Sequence, residues 1–253
     1  MKIQQIRNAT LVVEYPGKKF LIDPFLADKG TYPPFPNSVR QDQYNPLVSL
    51  PASLDDILSG IDAVIVTHLH LDHFDDTAKE VLPKEIPLFV QNEEDAEEVR
   101  KAGFQQVMVL EENTEFGGIT LSKTKGEHGR GEILKLAGLV CGVVFSHPSE
   151  KTLYVAGDTV WYEGVQEMIE EHQPEIIVVN AGDNQFLEGG SLVMGKEDVH
   201  QVAKAAPEAT IIASHMEAVN HWILSRQELS SYLQEKEISS QVFIPEDGAS
   251  YTF

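Results

Sequence analysis

The 253-residue sequence predicts a layered α/β fold, and three observations carry that expectation. Short runs rich in Val, Ile, Leu and Phe alternate with segments that open on a capping residue and keep helical spacing. No Ser/Gly/Pro-rich linker, low-complexity tract or short-period repeat divides the chain, and its length suits one large α/β domain spanning 1–253. The apolar run Ala63-Val64-Ile65-Val66 opens into Thr67-His68-Leu69-His70-Leu71-Asp72-His73, which places polar chemistry at the end of a buried strand.

Taken in order, Ile3 to Arg7, Thr10 to Glu14 and Lys19 to Asp23 read as short strands, the last two joined by a turn at Tyr15-Pro16-Gly17-Lys18. Residues 26–52 hold five prolines together with Tyr32, Phe35 and Tyr44. Proline excludes regular structure there, and the aromatics suit an ordered flap over a site or at a subunit contact. After the strand at 63–66, Asp75 or Asp76 caps a helix to about Leu82. Leu88 to Val90 is a strand, Asn92 caps a helix ended by Gly103, and Val107 to Leu110 is a strand. Ile119 to Lys125 alternates as a strand and leads into Gly126-Glu127-His128-Gly129-Arg130-Gly131. Val140 to Phe145 and Thr152 to Ala156 form a hairpin whose second strand runs into Gly157-Asp158. A helix from about Glu163 to His172 precedes the strand Ile176 to Val179 and the polar loop Asn180 to Gln185, in which Asn180, Asp183 and Asn184 are candidates to touch substrate. Lys196 to Ala205 is helical, Thr210 to Ala213 is a strand, and Ser225 caps a helix to about Glu235. Gln241 to Ile244 and Ala249 to Phe253 complete the sheets.

Composition narrows the function. Forty acidic residues against 19 basic give a net charge of −21, a field that repels phosphate backbones and anionic membranes. Nucleic acid is therefore excluded as a natural partner, and a small molecule is the expected substrate. Some of the excess is a solvated helix face at Glu93, Glu94, Asp95, Glu97 and Glu98. The longest apolar run, Leu136 to Phe145, is ten residues with two glycines, too short for a membrane span. The start lacks an apolar signal core, and the single cysteine, Cys141, has apolar neighbours that suit a buried thiol. A cytoplasmic location is the expectation.

The chemistry concentrates in His68-x-His70-x-Asp72-His73. In an extended segment residues two apart face the same way, so His68 and His70 can ligate one metal as a pair. Asp72 and His73 follow where the chain turns toward a helix and can reach a neighbouring position. Imidazole nitrogen with carboxylate oxygen suits zinc, with manganese or iron favoured by a harder ligand set. The spacing differs from H-E-x-x-H, in which two histidines share a helical face.

This motif resembles the signature of the metallo-β-lactamase superfamily, and the later segments match the family order. The resemblance implies a four-layer αβ/βα sandwich of two mixed β-sheets with external helices. It implies two divalent metals: one held by His68, His70 and His128, the other by Asp72, His73 and His215, with Asp158 shared. His221 is the rival to His215 as last ligand, or a group that protonates the leaving atom. Asp23, at the end of its strand, would accept a ligand histidine's second N–H. The implied activity is metal-assisted hydrolysis, in which a water between the cations becomes the nucleophile and Asp72 helps orient it. Arg7-Asn8-Ala9-Thr10, Asp23-Pro24 and Asp247-Gly248 make the chain look most similar to the stand-alone branch related to sugar-phosphate lactonases and N-acyl-phosphatidylethanolamine phospholipases. A lactone, other ester, amide or phosphodiester is then the expected bond. Two alternatives come from other classes: a non-catalytic metal-binding module, and a di-iron oxidoreductase. The latter usually has a glutamate where His70 stands and carries a flavin domain, and this chain has neither.

Overall fold

The computed structural model describes residues 1–253. The first half of the chain forms strands β1 (Lys2–Arg7), β2 (Thr10–Tyr15) and β3 (Lys18–Ile22), helix α1 (Leu54–Leu58), strand β4 (Ala63–Ile65), helix α2 (Asp76–Val81), strand β5 (Leu88–Val90), helix α3 (Glu93–Lys101), and strands β6 (Val107–Val109), β7 (Thr114–Phe116) and β8 (Ile119–Lys125). The second half comprises α4 (Glu132–Ala137), β9 (Cys141–His147), β10 (Glu150–Val155), α5 (Glu163–His172), β11 (Ile176–Asn180), α6 (Lys196–Ala205), β12 (Thr210–Ser214), α7 (Arg226–Glu235), β13 (Val242–Phe243) and β14 (Ser250–Thr252).

Two seven-stranded mixed sheets result, ordered β14-β1-β2-β3-β4-β5-β6 and β13-β12-β11-β10-β9-β8-β7. In the first, β3 to β6 run parallel and β1, β2 and β14 pair antiparallel. In the second, β10 to β13 run parallel and β7 to β10 pair antiparallel.

The period of two along each strand sorts its side chains between layers. Phe20, Ile22, Ala63 and Ile65 face the second sheet and meet Leu121, Val143, Phe145, Ile176 and Val178 in the central core. Across the gap Tyr15 packs tilted and Phe20 edge-on against Phe145, with ring centres 5.6 and 5.2 Å away. Leu21, Val64 and Val66 face outward and pack under α2 and α3 through Ala78, Ala96 and Val99. Ile177 and Val179 face the other way and pack under α5, α6 and α7 through Val165, Val199 and Leu229. Three cores between four layers make this the αβ/βα sandwich.

Caps set the helix starts: Asp75 accepts from the Ala78 amide, Asn92 from Asp95, and Ser225 with Glu228 forms a capping box. No helix is long and apolar enough to cross a membrane. Three elements differ from expectation. Helices α1 and α4 and strand β7 are short pieces without a readable period, and α4 takes up the beginning of the apolar run at 136–145. Asp72 and His73 lie in a turn in which the His73 and Phe74 amides donate to the His70 carbonyl; the helix itself begins only at Asp76.

Candidate metal centre

Both sheets deliver their strand ends to one edge. Strand β11 ends on Asn180, the chain just beyond β3, β4, β10 and β12 carries Asp23, His68, Asp158 and His215, and the β1–β2 turn brings Asn8 to the same place. This is where open α/β sheets present their ligand-binding loops. The structure gathers His68, His70 and His128 into one group of mutually close donor atoms, and Asp72, His73 and His215 into a second. Asp158 stands between them: its Oδ2 is 3.1 Å from His73 Nε2, 3.7 Å from His128 Nε2 and 3.8 Å from His68 Nε2, and its Oδ1 is 3.7 Å from His215 Nε2. His221 joins neither group.

The second ring nitrogens of His73, His128 and His68 are anchored, whereas His215 Nδ1 is buried without a partner. His73 Nδ1 donates to Asp23 Oδ2 at 2.9 Å, and His128 Nδ1 donates to the Leu192 carbonyl at 2.9 Å. His68 Nδ1 lies 3.1 Å from Thr67 Oγ1. Such bonds fix the tautomer that leaves Nε2 free to ligate. Asp23 is itself held by the Thr67 amide and hydroxyl at 2.7 and 2.8 Å. Asn8 Nδ2 donates to Asp72 Oδ2 at 3.2 Å, and Asn180 Nδ2 to Asp158 Oδ1 at 2.6 Å. Asn8, Asp23 and His215 all hold left-handed backbone, with φ of 55°, 45° and 59°. Non-glycine strain of this kind persists where surrounding contacts over-determine it, commonly at functional sites.

The electrostatics match a cation site. Burial opposes charge on His73, but Asp158 and Asp23 outweigh it and hold the imidazole well above its usual titration point. Burial likewise opposes charge on Asp158 and Asp72, yet the neighbouring histidines pull both carboxyls well below the usual range. Burial and the adjacent imidazoles push His68 down, and its Nε2 lies 3.0 Å from His70 Nδ1. Two ring nitrogens in contact, beside buried carboxylates, form a donor set that imidazole–carboxylate chemistry fills with a divalent cation. The residues present fit the metals that the fold implies.

Above this floor lies a cavity of about 200 Å³, bordered by His70, Asp72, His128, Asp158 and His221 and walled by apolar side chains. His221 is buried against Phe35 and Phe186, with Asn184 Nδ2 3.2 Å from its Nε2. Burial pulls its titration down to about 4, so at neutral pH it holds no surplus proton to donate as an imidazolium. Of the loop residues expected to touch substrate, none borders this cavity. Asn180 braces Asp158, Asn184 braces His221, and Asp183 opens onto a different surface beside Lys196 and Gln227. These amides turn toward the groups behind them because a buried carboxylate or imidazole needs a partner. Phe35 comes from the segment 26–52, which Asn220 ties down: its Oδ1 accepts from the Phe35 amide and Asn45 Nδ2, and its Nδ2 donates to Ser38 Oγ and the Val39 carbonyl. Sequence reasoning misses Asn220, Phe186, Leu136 and Leu192; nothing local marks them, since their role depends on a contact made across the fold.

Fold and site together define a metal-dependent hydrolase of the metallo-β-lactamase fold, and the chain belongs to the beta-lactamase superfamily, whose domain model matches residues 18–216. It is similar to the UPF0173 protein YddR of Bacillus subtilis (strain 168), at 67% identity with both chains covered in full. Among solved structures it is similar to the isothiocyanate hydrolase from Delia radicum gut bacteria, at 44% identity and a TM-score of 0.96, covering 100% of this chain and 99% of that one. It is also similar to a protein described as a possible metal-dependent hydrolase from Veillonella parvula DSM 2008, at 43% identity and a TM-score of 0.97 with the same coverage.

Proposed function

We propose that this chain is a binuclear metal-dependent hydrolase acting on a small, uncharged electrophile. The observation that carries the reading is the convergence of His68, His70 and His128 on one side of Asp158, and of Asp72, His73 and His215 on the other. Those two trios would each hold a divalent cation, zinc by the imidazole-rich donor set, with Asp158 shared. Bound there, the cations supply Lewis acidity that activates water and polarises the scissile group.

The chain's own residues do the rest. Asp23 and the Leu192 carbonyl keep His73 and His128 in one tautomer. Asp72, steadied by Asn8, faces the cavity as an acceptor that orients the attacking water. His221, neutral at pH 7, offers a hydrogen bond to the leaving atom without supplying a net proton. The apolar walls limit the water that reaches the reacting group.

No lysine or arginine lines the cavity. Lys125 is exposed on the surface, and Arg130 is engaged by both oxygens of Asp198. A phosphodiester is therefore disfavoured against neutral esters, lactones, amides or heterocumulenes. The relative that hydrolyses isothiocyanates makes that class the first to try: one water adds to the central carbon of R–N=C=S, the C–N bond breaks, nitrogen takes both protons, and amine and carbonyl sulfide leave.

The test begins with metal stoichiometry on protein purified without added metal or chelator, repeated on Asp158→Ala. About two metals per chain, fewer in the variant, is the expected result for a shared carboxylate. Turnover of neutral isothiocyanates, esters and lactones follows, with His221→Ala alongside. No metal after zinc or manganese is added back would sink the ligand assignment. An unchanged rate in His221→Ala at unchanged metal content would remove His221 from the chemistry.

A further inference from the structure

The cavity has two halves of different chemistry. Its floor is polar, whereas its walls are Phe35, Leu71, Leu136, Ala137, Phe186 and Leu192. One section of that wall is helix α4, which is set apart from the rest of the molecule. The helix is bracketed by Gly131 and Gly138, both in left-handed backbone at φ 64° and 83°. Its buried face, Ile133 and Ala137, packs only with Leu192 and the half-buried Phe186, in a small cluster separate from the three sheet cores. Its outer residue Leu136 is 81% exposed, more than any other large apolar side chain, yet it borders the cavity. A scattered exposed leucine is ordinary, but one at the mouth of a cavity loses its water when a ligand enters.

We propose that α4 is the specificity element of this site. Leu136, with Phe186 and Phe35, holds an uncharged hydrocarbon substituent of the substrate, one aromatic ring or a short alkyl chain in size. The inference rests on the hydrolase reading for the position of the reacting head, and goes beyond it in assigning the tail. Size follows from the volume: the whole cavity, head and tail together, is about 200 Å³, and about 150 Å³ accepts a benzene ring, so a small head leaves room for one ring and little more. The lining offers an anionic tail no cation and the net charge of −21 repels one, while the apolar wall gives a cationic tail no partner. Burial of such a tail against the wall is the main source of discrimination, worth about fourfold in affinity per methylene.

The test is direct binding of two hydroxamates to zinc-loaded protein by calorimetry. Acetohydroxamate and 3-phenylpropanohydroxamate share a metal-chelating head and differ only in the tail. Wild-type protein should prefer the phenyl compound by roughly 10- to 100-fold. Leu136→Asp should cut that preference to within about threefold, with the loss falling mainly on the phenyl compound. Because Leu136 is exposed, the variant should fold, and its thermal unfolding verifies this. Leu139→Asp adds the same charge at a residue that does not border the cavity, and should keep the wild-type preference. A wild-type preference below about threefold, no binding of either compound, or an equal loss in both variants would overturn the assignment. The two readings fail separately. Protein that ranks the hydroxamates as expected but hydrolyses nothing keeps the tail site and loses the hydrolase. Protein that hydrolyses short and phenyl-bearing isothiocyanates alike, with Leu136→Asp indifferent, keeps the hydrolase and loses the tail site.

Discussion

At the scale of single residues, the site is a set of donors whose orientation depends on groups behind them. Asp23 is the clearest case, since one carboxylate accepts from His73, the Thr67 amide and the Thr67 hydroxyl. Asp23→Asn keeps the volume and tolerates the left-handed backbone, but sets an amide N–H against one of those donors. We expect it to weaken metal binding by roughly 10- to 100-fold, read by titration against a competing chelator. Affinity equal to wild type would show that His73 is oriented by other means. His221 gives a second prediction. It titrates at about 4 when folded and near 6.5 when unfolded, so between those values the unfolded chain binds a proton that the folded one does not. Its burial therefore costs nothing above about pH 7, and reduces stability as pH falls through 6.5 toward 4, by ~2 kcal/mol at pH 5. Urea unfolding at pH 8 and pH 5 should show His221→Gln losing less stability than wild type by about that amount. Equal losses would mean that the imidazole is solvated in the native state.

At the scale of elements, the centre depends on how strands stop. Just beyond β10 comes Gly157, whose φ is 69° and whose missing Cβ leaves room for the Cys141 carbonyl at the start of β9. A side chain there must push β9 and β10 apart and displace Asp158, the next residue. Gly157→Ala should cost at least ~2 kcal/mol in stability by denaturant unfolding and lower the metal content with it. A stable variant with full metal content would show that the strand end is pliant. The same logic explains Cys141, whose thiol donates to the Thr67 carbonyl at 3.3 Å and whose burial pushes its titration up, so it packs the gap between β4 and β9 and stays protonated.

At the scale of the whole molecule, the centre is stitched from both sheets: His68, His70, Asp72 and His73 follow the first, and His128, Asp158 and His215 follow the second. A ligand bound across that edge ties the two halves together and stabilises only the folded form. Chelation should lower the melting temperature, and adding back metal at about 1,000 times its dissociation constant should restore about 4 kcal/mol. A melting temperature indifferent to chelator and to added zinc would argue that the edge is rigid without metal.

Much of this was legible in the chain. The motif from His68 to His73 declares itself because its ligands are close in sequence and follow an apolar run, so local spacing alone constrains their geometry. Asp158 and His215 are reached through the family resemblance, each after a strand, whereas the caps Asp75, Asn92 and Ser225 are legible because their chemistry is local. The turn of Asn180 and Asn184 toward buried partners and the apolar wall of Phe35, Leu136 and Phe186 belong to the tertiary structure. Those groups lie far apart in sequence and meet only when the two sheets close on each other. What they touch is then decided by packing and by the need of each buried polar group for a partner, neither of which leaves a local mark.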